Sequence, residues 1–259
     1  MSGFGRIGAA FFVALSVGLA GCGGGGGSDD DSPPDPGTPK AEGAYAYSNA
    51  NGSGGLLLVL ENDELWGTYW LGDGTHAGFV QGTGSSTGNT YTAADVRDYD
   101  FVDAIIRTLS ISAQFDPGVA LNVTGTPITP AGDPFTLNAT SADVVGYSYE
   151  QSASSTAVAG NWAGFFGRTT EAVSAAVSAQ GAVDGRVDGT NCSFGGSIRP
   201  RPSGKNVFDT ELSFGPDCGG LANATTRGIT IVSTDSQELV LLTRTADRNV
   251  GLTLIATRR

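Results

Sequence analysis

Hydrophobic residues recur at every second position along this chain, in short runs, and rarely at helical spacing. Leu109, Ile111, Ala113 and Phe115 alternate with Thr108, Ser110, Ser112 and Gln114. After the break Asp116-Pro117-Gly118, Val119, Leu121 and Val123 alternate with Ala120, Asn122 and Thr124. Cys192, Phe194 and Ile198 repeat the pattern against Ser193, Ser197 and Arg199, and so do Val250, Leu252, Leu254 and Ala256 with their neighbours. A period of two puts one face of each strand in a core and the other in water. Gly, Asn, Asp and Pro interrupt the runs at short, regular intervals, the pattern of an all-β chain.

Strands are predicted to begin near Tyr45, Leu56, Leu65, Ala77, Thr90, Leu109, Val119 and Phe135 in the first half. In the second they are predicted near Trp162, Ala172, Ala182, Cys192, Val207, Gly228, Leu239 and Val250. Short connections make successive strands antiparallel neighbours, and about eight of them tend to close, which removes exposed edges. The predicted fold is two tandem antiparallel up-and-down β-barrels, lipocalin-like, over residues 43–150 and 160–259, with a linker at 151–159. One continuous sandwich of both halves is the alternative. The halves also look alike. Gly43-Ala44-Tyr45 and Gly160-Asn161-Trp162 lie 117 positions apart, as do Asn89 of Ser86-Thr87-Gly88-Asn89 and Asn206 of Ser203-Gly204-Lys205-Asn206. Gly and Asn tolerate the positive φ that tight hairpins require.

The N-terminus changes the picture. Arg6, then an apolar run from Ile7 to Ala20, then small residues, are the parts of a secretory signal; the run is shorter than the roughly 20 residues a membrane span needs. Leu19-Ala20-Gly21-Cys22 resembles the lipobox of bacterial lipoproteins. The resemblance implies a signal peptide over 1–21, cleavage before Cys22, and diacylglyceryl and acyl chains on Cys22 as a membrane anchor, each buried CH₂ contributing about 0.8 kcal/mol. Gly23 after the cysteine implies the outer membrane, with the domain on the periplasmic or the outer surface. Residues 22–42, rich in Gly, Asp and Pro, read as a tether spanning about 25 Å.

Charge is unevenly shared. The chain carries a net charge of −12, which excludes nucleic acid and anionic lipid as electrostatic partners. Residues 43–150 hold twelve Asp and Glu against Arg97 and Arg107, whereas residues 151–259 hold nine against ten Lys and Arg. That asymmetry favours attraction between the halves or a cationic partner for the first. With Cys22 lipidated, Cys192 and Cys218 are left to form one disulfide in an exported chain.

Candidate chemistry is sparse. His76 is the lone histidine, so any Ser–His–Asp triad would need it as base, and no nucleophile elbow accompanies it. No catalytic residue, metal site or cofactor is predicted. Asp95, Asp98, Asp100 and Asp103 read as a solvated acidic edge, lacking the pattern of a calcium loop. Trp66 and Trp70 share one strand face, with Tyr69 on the other; they are candidates to line a ligand cavity or to plug a barrel. Small residues Ala175, Ala179, Ala182 and Gly185 suggest room in the second barrel. Arg199, Arg201 and Lys205 form a basic group that suits an anionic partner or an ordinary turn.

The lipobox, the Gly-x-aromatic openings and the stretch from Cys192 through Ser203-Gly204-Lys205-Asn206-Val207-Phe208 resemble tandem β-barrel envelope lipoproteins of Gram-negative bacteria. Surface lipoproteins that bind host proteins through eight-stranded barrels share this shape, but fold does not imply function. The reading is a non-enzymatic envelope lipoprotein that binds a macromolecular partner or acts as scaffold. The alternative is a carrier of a small apolar ligand inside one barrel.

Overall fold

Each predicted turn returns the chain alongside the strand it has just left, and the result is two closed rings. In the computed structural model, which describes residues 39–167 and 171–259, the chain forms two tandem closed eight-stranded antiparallel β-barrels. The first contains β1 (Gly43–Ser48), β2 (Gly54–Val59), β3 (Glu64–Trp70), β4 (His76–Thr83), β5 (Ser85–Thr87), β6 (Thr90–Asp100), β7 (Ile105–Asp116), β8 (Ala120–Thr129) and β9 (Phe135–Thr140). β4 and β5 are two pieces of one staveline, since both pair with β6, Gly78 opposite Asp100 and Ser85 opposite Thr92. Ala46 opposite Thr140 closes the ring between β1 and β9.

The second barrel contains β10 (Gly160–Phe166), β11 (Ala172–Val177), β12 (Ala182–Val187), β13 (Ser193–Pro200), β14 (Phe208–Phe214), β15 (Thr225–Val232), β16 (Glu238–Thr245) and β17 (Gly251–Arg258). β17 pairs with β10 to close it. Strand starts lie within a few residues of those predicted. Both repeat landmarks occupy equivalent places: Gly43 and Gly160 open the first strand of each barrel at positive φ. The turns that hold Gly88 and Gly204, also at positive φ, both lead into the fifth stave. A disulfide joins Cys192 and Cys218.

Three apolar cores result. Tyr45, Leu57, Leu65, Leu109 and Leu121 belong to the interior of the first barrel, and Trp162, Phe194, Leu212 and Leu254 to that of the second. A third core lies between the barrels. There Trp66, Phe79 and Tyr99, on the outer faces of β3, β4 and β6, meet Ile229, Ile231 and Leu242 on β15 and β16. Glycines in the second barrel make the approach possible. A methyl group on Gly228 would strike Trp66, and one on Gly251 would strike Tyr99 and Phe79. Tyr147 and Tyr149 belong to this seam too, with Tyr147 donating to Asn206 O at 2.7 Å and Tyr149 to Glu42 Oε1 at 3.0 Å.

Charge reinforces the seam as the asymmetry suggested. Arg201 is paired with Glu61 at 2.7 Å and Glu64 at 3.5 Å, Arg248 with Asp95 at 2.7 Å, and Arg244 donates to Gln81 Oε1 at 3.1 Å. Lys205 pairs with Glu150. The carboxylates facing Arg201 and Lys205 are therefore the chain's own: Glu61, Glu64 and Glu150 of the first half, with Asp209 of the second barrel 2.8 Å from Arg201.

Candidate functional site

The first barrel is hollow. A cavity of about 370 Å³, within the range of small-molecule pockets, runs between aliphatic walls that include Leu57, Val80, Leu109, Ile111 and Val123. One end of the barrel is shut. Tyr45 donates to Ala41 O at 3.1 Å and accepts from Gly118 N at 3.2 Å, Tyr91 donates to Asp63 O at 2.9 Å, and Lys40 pairs with Asp63. The cavity lies toward the other end, where β6 turns into β7 and β8 into β9 and where Tyr47, Tyr69, Arg107 and Phe135 line it.

Glycines keep this end open. The rings of Tyr47, Tyr69 and Phe135 lie against Gly55, Gly78 and Gly125, where a methyl group would collide with each of them. Each ring thus fills the wall position of a missing side chain. Around the same end, Val102, Ile105, Ile128 and Phe135 are exposed large hydrophobics, at the β6–β7 turn, the end of β8 and the start of β9.

Asp98 and Asp100 also line the cavity, which corrects the expected solvated acidic edge for these two, while Asp95 and Asp103 are exposed as expected. A bulge in β6 explains the change. Register shifts between Ala93 and Val96, so Ala94 and Asp95 are both exposed while Tyr91, Ala93 and Val96 are all buried. An extra residue inverts the alternation beyond it. Odd positions face inward before the bulge and even positions after it, carrying Asp98 and Asp100 inside and Tyr99 out into the seam.

The polar groups there form one network. Tyr69 donates to Asp98 Oδ1 at 2.7 Å. Arg107 pairs with Asp100, with Asp103 at 2.7 Å and more distantly with Asp98 at 3.5 Å. Burial raises the Asp98 carboxyl above the usual range, against the pull of Tyr69 and Arg107. Burial also works against the charged form of Asp100, but hydrogen bonds from Arg107 and from the backbone N–H groups of Asp103 and Val102 outweigh it and hold Asp100 low. Tyr47 is pushed up to about 12 by burial and by the nearby Asp98 charge.

Trp66 and Trp70 do not line this cavity. The alternation on β3 is as expected, but the faces are exchanged: Tyr69 points in, while Trp66 stacks with Phe79 in the seam, centroids 6.5 Å apart. Trp70 lies across Gly54. Tyr47 and Phe135 are the aromatics that sequence reasoning missed as cavity residues, and Tyr69 it singled out only on the face opposite the tryptophans; all three lie against a glycine on the neighbouring strand.

The second barrel is filled. Phe166, Phe194 and Phe214 pack together with centroids 5.4–6.3 Å apart, and only about 10 Å³ of interior space is left beside Trp162 and Leu212. The interior room expected from its small residues is not there; the space of about 380 Å³ that Ala175 and Gly185 border opens outward among exposed Asn161, Asp184, Arg186 and Arg259. Ala179 and Ala182 are exposed, and the ring of Phe194 lies over Gly185.

His76 is held on Thr68, with 2.8 Å between Nε2 and Oγ1. Burial lowers its pKa to about 4, and Nδ1 is buried without a partner, so no carboxylate orients the ring as a triad requires. Among the described residues, no three His, Cys, Asp or Glu side chains are grouped to hold a metal ion. The signal peptide, Cys22 and most of the tether lie outside the described residues. Compared with known proteins, the chain matches no family model, no curated protein and no solved structure.

Proposed function

We propose that the protein is a non-enzymatic carrier that holds a small, largely apolar molecule in its first barrel, anchored to the bacterial outer membrane through lipidated Cys22. One observation carries this reading: a cavity of about 370 Å³ in one barrel, beside a second barrel of equal strand number that is packed solid. Large voids in a protein interior forfeit packing contacts and destabilise the fold, so a retained void with a few polar groups at one end is best explained by a ligand that fills it.

Native mass spectrometry of the lipoprotein, purified gently from its own envelope and trimmed at its tether, tests the reading. A discrete extra mass that leaves on denaturation, and is missing from an Ala113→Phe variant whose new ring occupies the bore, is the expected result. A bare chain mass in both proteins would remove the carrier. The partner-binding or scaffold reading would then lead, and the exposed hydrophobics Val102, Ile105, Ile128 and Phe135 are the observation that favours it. Crosslinking at that rim is the experiment for it.

A further inference from the structure

We infer that the molecule held in the first barrel carries a cationic, ammonium-type head that seats on Asp98, with its apolar body in the bore. The inference rests on the carrier reading and deepens it.

The argument starts from the charges at the open end. Arg107 is the one cation among the residues that line the cavity, and it serves three carboxylates. It bonds Asp100 and Asp103 closely and reaches Asp98 only at 3.5 Å. Asp100 takes two backbone donors besides, Val102 N at 2.7 Å and Asp103 N at 3.0 Å. Asp98 has no backbone donor; its short bond is to the neutral Tyr69 hydroxyl at 2.7 Å. An ionised carboxylate offers about four acceptor sites, so Asp98 keeps acceptor capacity toward the cavity.

A carboxylate at an apolar wall with so little counter-charge is costly to hold ionised, and a bound cation offsets that cost. The surroundings suit an ammonium group. The rings of Tyr47 and Tyr69 line the same end, and aromatic faces attract cations within about 6 Å. The Tyr47 hydroxyl, beside the Asp98 charge, is a further polar group for a head that donates hydrogen bonds. An anionic head fares worse, because three carboxylates, Asp98, Asp100 and Asp103, already share the single charge of Arg107 and repel a further anion. A neutral alcohol falls between. Length follows from volume: at about 30 Å³ per water-sized group, the cavity holds roughly a dozen heavy atoms, the size of a ten-carbon amine.

Titration calorimetry with decylamine, decanol and decanoate, on full protein stripped of any co-purifying ligand over a hydrophobic resin, separates the possibilities. At neutral pH and low salt, decylamine is expected to bind at least about tenfold more tightly than decanol, with decanoate weakest. In Asp98→Asn the amine advantage is expected to vanish while decanol binding persists. Decanol or decanoate binding as tightly as the amine, or an amine advantage that survives in D98N, overturns the cationic head and leaves the carrier standing. No uptake of any of the three removes the carrier reading and this inference with it. The ranking is measured on unmodified protein, so instability of the variant, checked by its melting curve, does not decide the question.

Discussion

Two barrels of one chain, each a meander of eight staves and opened by equivalent glycines, differ in what they enclose. The first holds a cavity and the second holds rings. Strand number, one determinant of barrel width, is the same in both and is not the difference. Ring placement is. In the first barrel Tyr47, Tyr69 and Phe135 lie against glycines in the wall, which leaves the bore free. In the second, Phe194 also lies against a wall glycine, Gly185, yet Phe166, Phe194 and Phe214 meet one another and occupy the space where a ligand would sit. The lesson concerns more than this molecule: a wall glycine gives a ring somewhere to lie, and the bore stays open only where the rings so placed do not meet in its middle.

The largest effect that bears on this contrast is expected from Phe194→Ala. Removing a fully packed ring from the second barrel is expected to cost about 3–5 kcal/mol, read from urea unfolding. A loss below about 1 kcal/mol would mean that the aromatic cluster is not what holds that barrel. The Ala113→Phe change in the first barrel is the counterpart, since it adds a ring to a void instead of deleting one from a core.

Next comes the disulfide, which belongs to the second barrel alone. Replacing Cys192 and Cys218 together by serine opens a loop of 26 positions, expected to cost about 3–4 kcal/mol on the loop-entropy account. Ligand uptake by the first barrel is expected to survive wherever the variant remains folded. Its loss in folded protein would show that the barrels are coupled through the seam.

The smallest effect is expected from Gly125→Ala. The atoms nearest the added methyl all belong to the Phe135 ring, which is partly exposed and free to tilt, so stability is expected to change by less than about 1 kcal/mol. Ligand affinity is expected to fall, because the ring then leans over the bore. A variant that binds as tightly as the parent would show that the glycine-backed rings do not keep the cavity open.

Much of this architecture was legible in the sequence. Alternation located the strands, and turn residues located their ends, because a hairpin between neighbouring strands is a local event. Cys192 and Cys218, the two cysteines of the second half, are joined to each other as expected. The acidic stretch of β6 and the tryptophans of β3 were harder. In both, the alternation was readable and the direction was not. Ala94-Asp95 carries no sign of the bulge that inverts β6, and nothing local marks Trp66 as a seam residue instead of a bore residue.

Local order along the chain thus determined the all-β class, the tandem halves, the turns and the pairing of Cys192 with Cys218, each of which depends on residues close in sequence or on a simple count. Tertiary structure alone decided which barrel is hollow, where Asp98 points and what buries Trp66. The reason is physical. A strand covered on both sides has two apolar faces, so a period of two says that the faces differ without saying which is inside. Only the approach of the second barrel, with Gly228 and Gly251 receiving the rings of Trp66, Phe79 and Tyr99, assigns the outer face of the first barrel to a core and leaves its polar groups to face the cavity.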